Sequence, residues 1–157
     1  MRSPYVPTDV HTAEFLTELL VRELRDGRHQ LMQDFWIYSA QLARETGGSG
    51  IYLAPLGAIV NYISSPRLLW PIVPRDGPEK WASVGHDVAS HGELLDVTGL
   101  PAYLTKKQTD HLFRELMAIP PCDQVPGWKR WLMYRAVKRF GTGTYGGTPT
   151  VTPKDAA

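Results

Sequence analysis

Residues 29–42 read HQLMQDFWIYSAQL, and whether this run is strand or helix decides the fold class. Its centre, Phe35-Trp36-Ile37-Tyr38, is aromatic and β-branched and suits a pleated, half-buried surface. Just upstream, Asp26-Gly27 is a pair that enters a tight hairpin turn readily. ELLVREL at 18–24 then supplies a strand, and residues 14–54 read as an antiparallel β region in which 29–42 forms one or more strands. GGSG at 47–50 makes a second turn. IYLAPLG at 51–57 is another short strand, whose Pro55 marks an edge position or the strand's end.

Beyond that region the period changes. Five prolines between residues 55 and 78 and the lack of a helical repeat predict an extended, irregular connection, the type of long loop that often carries function. Pro78 opens a helix over about 79–91, with Trp81, Val84, Gly85 and Val88 on one apolar face. Thr105 and Gln108 make a capping-box pattern for a second helix, about 106–118, that buries Leu112, Phe113, Leu116 and Met117, and Pro120-Pro121 stops it. A third runs over about 126–140 and ends at Gly141. Strands first and helices after define an α+β fold, an N-terminal antiparallel β region packed with three C-terminal helices. Residues 1–141 are expected to form a single domain. The Gly-, Thr- and Pro-rich residues 142–157 are expected to be an arm, flexible in isolation or ordered against a partner.

Composition narrows the classes. At 157 residues, with 43% hydrophobic and 21% charged residues, the chain suits one globular domain. No apolar run approaches the roughly 18 residues of a membrane span, so a soluble protein is expected. The start, MRSPYVPTDVHTAEF, lacks a signal-peptide pattern. The lone Cys122 excludes an internal disulfide and a cysteine-cluster zinc site, and beside Pro121 in a loop it reads as a bystander rather than a nucleophile. No P-loop, GxGxxG, EF-hand or HExxH pattern occurs, and neither Ser64 nor Ser65 lies in a Gly-x-Ser-x-Gly elbow.

A few polar residues carry the chemistry that remains. His86 and Asp87 are adjacent on the first helix, beside its apolar face. An imidazole and a carboxylate can share a first-row metal or act as an acid/base pair, and the same dipeptide can equally be a helix-surface pair bonded to a loop. His91, four residues after Asp87, can meet it on one helical face. Asp110, at the edge of the second helix's apolar stripe, can approach His86 if the two helices pack; a buried carboxylate would then need His86, Arg67, a metal or backbone amides. Alternatively, it is an acid in a first helical turn, stabilised by the helix dipole. Arg67 can hold a phosphate or carboxylate, or tie the loop to Asp87 or Asp110.

The last helix, WKRWLMYRAVKRF at 128–140, alternates cations with large aromatics. Residues 125–157 hold six Lys/Arg against one acid, whereas the rest holds eleven against fifteen. That pattern fits a nucleic-acid or membrane surface. It also fits a core-packed helix, its aromatics inward and its cations on a solvated face.

These stretches together resemble an uncharacterised family common in tailed bacteriophages and prophages, a domain of unknown function. Its segment Gly-Phe-x-Thr-Asp-x-Ala-Ser-x-Pro-Arg is matched here by Gly57, Ser64, Pro66 and Arg67, and its His-Asp-x-x-Tyr by His86 and Asp87. Asp110 and Phe113 match Ala-Asp-x-x-Phe, and Tyr134, Ala136, Val137, Phe140 and Gly141 match the final helix, so the likeness covers roughly residues 18–141. Asn61 stands where the family has Asp, Ile63 where it has Ala, and Val88-Ala89-Ser90 lacks the tyrosine. Asp to Asn removes a metal-grade carboxylate and keeps hydrogen-bonding capacity, which implies a retained framework with weakened chemistry.

The resemblance implies a phage or prophage structural, virion-associated protein, with the tail as one place for it, located in the virion or the bacterial host cytoplasm. Its polar site would comprise Asn61, Ser64, Arg67, His86, Asp87 and Asp110, and its partners would be other phage proteins met through the arm and the basic helix. The alternative is a metal-dependent hydrolase of cell wall or nucleotides, with His86, Asp87 and Asp110 on a divalent metal.

Overall fold

The computed structural model describes residues 12–61 and 77–140. Six short strands and four α-helices follow one another: β1 (Ala13–Phe15), β2 (Val21–Glu23), β3 (His29–Leu31), β4 (Phe35–Ser39), α1 (Ala40–Thr46), β5 (Ile51–Ala54), β6 (Ile59–Val60), α2 (Lys80–Ser90), α3 (Lys106–Leu116) and α4 (Gly127–Phe140). The class is α+β, as the change of period predicts. The strands form two antiparallel three-stranded sheets, ordered β1-β4-β5 and β2-β3-β6. Central β4 aligns Ile37 with both Phe15 and Tyr52. All five of its residues are buried, which explains why FWIYS reads as a continuous apolar run rather than an alternating one.

The run at 29–42 does not continue as strand to its end. After Ser39 the chain turns into α1, because the Ser39 side chain accepts a hydrogen bond from the Leu42 amide at 3.1 Å and so caps the first turn. Gly47, at φ 72°, closes the helix in the left-handed conformation. The GGSG stretch is thus a helix stop and a return into β5. At Gly50 (φ +74°) a side chain would run into the Ser39 carbonyl, so the return is tight. The proline-rich connection also yields a strand, since Ile59 pairs with Gln30 and Val60 with His29. β5 ends at Ala54, immediately before Pro55.

Helix bounds agree with the periodicity to within a residue or two. The capping box of Thr105 and Gln108 is formed in both directions. Phe35, Ile37, Val84, Val88, Leu112, Phe113, Leu116 and Met133 belong to one core between the sheets and the helices. Cys122 lies in that core within a short 3-10 turn (Cys122–Gln124). Burial pushes its thiol up to about 12, which keeps it protonated and unreactive. The arm at 142–157 falls outside the described residues, and no helix among them is long and apolar enough to cross a membrane.

Candidate functional site

α2 and α3 pack closely because Gly85 presents no side chain: a Cβ there would stand 3.1 Å from Leu116 Cδ1. The next residue on α2, His86, is thereby carried to Asp110 on α3. Its Nε2 lies 3.2 Å from Asp110 Oδ1, with both residues nearly enclosed, at 6% and 4% exposure. The imidazole meets the Phe113 ring edge to face, centroids 5.5 Å apart, which holds its plane.

Asp110's other oxygen, Oδ2, accepts from Lys106 Nζ at 2.7 Å, one helical turn back on α3. The same ammonium donates to the Val137 carbonyl of α4 at 3.2 Å. That carbonyl belongs to the last turn of α4, where intrahelical partners run out and a cation is favoured. One carboxylate therefore links three helices. Burial alone would raise Asp110, but the hydrogen bonds from His86 and Lys106 and the ammonium charge outweigh it, so the carboxyl is held below its ordinary value. An ionised carboxylate only accepts, so His86 carries its proton on Nε2 and, when neutral, keeps its lone pair on Nδ1.

Asp87 points elsewhere. Its Oδ2 accepts the Asn61 backbone N–H at 3.0 Å and stands 3.7 Å from His91 Nδ1. Burial raises this carboxyl despite that amide and the neighbouring histidines. The contact with residue 61 uses the main chain, so its donor is present with either Asn or Asp at that position. The Asn61 residue itself is exposed.

Of the six sequence-derived site residues, the structure brings His86 to Asp110 and Asn61 to Asp87; Ser64 and Arg67 lie outside the described residues. Among the described residues no group of three or more His, Cys, Asp or Glu is arranged to hold a metal ion. Sequence reasoning missed Lys106, although its spacing of four from Asp110 is the ion-pair signal on a helix. It also missed the Glu115 carboxylate, which accepts from Ser39 Oγ at 2.8 Å and so joins α3 to the start of α1.

A cleft of about 450 Å³ opens beside the network, lined by Lys106, Lys107, Asp110, His111, Tyr134 and Lys138. Along α4 the packing expectation needs correction. Met133, Ala136 and Val137 are buried, but Trp128 and Trp131 are 60% and 62% exposed. They fall on the outer side of the helix, where the inner side is already filled by smaller residues.

Fold and site together define an α+β domain whose helices are joined through a His-Asp-Lys network with its histidine and aspartate buried. Over residues 31–137 the chain matches the family described as "Protein of unknown function (DUF1353)", and it belongs to that family. No curated protein and no solved structure matches it.

Proposed function

We propose that this protein is a structural, virion-associated component of a tailed phage or prophage particle, with its polar network serving as a lock on the fold. The phage setting is supported by the resemblance of its motifs. The observation that carries the structural role is the Asp110 carboxylate, both of whose oxygens are engaged by side chains of the same chain, one of which reaches on to α4. A group so engaged resists rearrangement. The outer side of α4 and residues 142–157 then make contacts with other phage proteins.

Particles assembled with the full chain are compared with particles assembled with a chain ending at Gly141. Mass spectrometry is expected to find the full chain at a fixed copy number and the shortened one lost, with its thermal unfolding unchanged. Incorporation of the shortened chain at the full copy number, or no full-length chain in particles, overturns the reading.

A metal-dependent hydrolase is the competing reading, favoured by the His86–Asp110 pair at the edge of the cleft. Asp87 facing residue 61 rather than Asp110 weighs against a three-residue ligand set. Elemental analysis of purified protein, with chelator added during thermal unfolding, separates the two readings: a stoichiometric metal whose removal lowers stability would favour the hydrolase.

A further inference from the structure

Between the C-terminal half of α3 and α4 runs a groove of about 380 Å³. Its charge is of one sign: Arg114, Arg130, Arg135 and Lys138 line it, together with Trp131 and Tyr134, and no carboxylate does. The neighbouring cleft shares Tyr134 and Lys138 and adds Lys107 and Lys106, the latter paired with the Asp110 carboxylate that also lines it. Each ring along this edge is paired with a cation, Arg114 over Tyr134, Lys129 over Trp128 and Arg135 over Trp131, all at 5.5 Å. The Arg130 guanidinium donates from Nη1 to the Met117 carbonyl at 3.4 Å, and its buried Nε has no acceptor among the described residues.

We propose that this groove binds single-stranded nucleic acid, its phosphates on Arg114, Arg135 and Lys138 and its bases stacked on Trp131, which lines it, and on the exposed Trp128 three residues earlier on α4. Cations alone would suit any polyanion. The exposed indoles select among them, because an unpaired base offers a flat face to an aromatic ring and a duplex keeps its faces stacked inside. An acidic peptide would answer the cations and leave both indoles in water. A lipid surface is flat and takes a broad apolar face that projects, whereas α4 buries its aliphatic residues Met133, Ala136 and Val137 inward and presents two indoles among the exposed cations Arg114, Arg135 and Lys138. This inference is independent of a place in a particle.

The test uses the full chain and fluorescein-labelled oligo(dT), titrated by anisotropy over a range of salt. Three phosphate-binding cations predict a slope of log K against log salt of about −2. W131A is expected to weaken binding about tenfold, W131F to retain most of the affinity and W131L to behave as W131A, which separates stacking from bulk. R114A/R135A should flatten the slope by about 1.4. The duplex of the same sequence should compete poorly. Absence of binding at low salt, equal affinity for duplex, or indifference to W131A and W131L each overturns the proposal. So does Trp131-dependent binding of poly-glutamate or of phosphatidylserine vesicles in place of the oligonucleotide.

Discussion

Asp110 shows how one side chain acquires its character from three neighbours. Taken from water alone it would be neutralised; with His86 and Lys106 on its two oxygens it stays charged below the ordinary carboxylate range. Asp110→Asn leaves the His86 and Lys106 donors facing a neutral amide. It is expected to destabilise the protein at neutral pH by about 3 kcal/mol, the low end for a broken buried pair because the Lys106 side chain is 38% exposed. The pH dependence has a definite sign. A carboxyl depressed in the folded state contributes stability that is complete above its unfolded value, near 3.8, and is lost as pH falls through the folded value. Asp87, raised by burial, works in the opposite direction: its ionisation opposes folding once pH rises past 3.8. Urea unfolding across the acid range should therefore show wild type and Asp110→Asn converging below about pH 3.8. A gap that stays constant with pH would mean that Asp110 contributes by shape and not by charge.

Among the helices, α1 is the one that sequence patterning misplaces, and the cause is local. The strand-forming cluster and the helix share Ser39, which is the last residue of β4 and also the cap of α1. A run of strand formers offers no sign of where it stops when the stop is a single side-chain hydrogen bond. That cap is reinforced from a distance, because Ser39 Oγ donates to Glu115 on α3 while accepting from Leu42. Ser39→Ala removes both bonds and leaves Glu115, already raised by burial, with less to accept. A loss of about 1–2 kcal/mol is expected in equilibrium unfolding, at the upper end of cap substitutions. A variant as stable as wild type would place the start of the helix in the backbone instead.

For the fold as a unit, the deciding contact is the close approach of α2 to α3 at Gly85. The polar network exists because those helices meet there, with His86 next in the chain. Gly85→Val would press a branched side chain against Leu116 and Ile37, which stand 3.1 and 3.5 Å from a Cβ at this position. Overpacking of this kind is expected to cost about 1–3 kcal/mol. It should also part His86 from Asp110, seen by NMR at fixed pH as a change in the His86 imidazole chemical shifts that Asp110→Asn reproduces. Unchanged His86 imidazole chemical shifts in a folded Gly85→Val protein would show that the pair forms without the close packing.

Local residue order was enough to establish the class, the three long helices, the Thr105 cap and the end of β5 before Pro55, since each depends on neighbours within a turn or a pleat. It also pointed to His86 and Asp110 as residues that could meet. It could not reveal that Lys106 would extend the pair to α4, that Asp87 would turn to the main chain of residue 61, or that Trp128 and Trp131 would face outward. Those outcomes depend on which helix face another element covers, and amphipathic spacing leaves that open when aromatics and cations crowd every side of α4. Packing settles it, because the space beside the core admits Met133, Ala136 and Val137 and leaves the indoles in water.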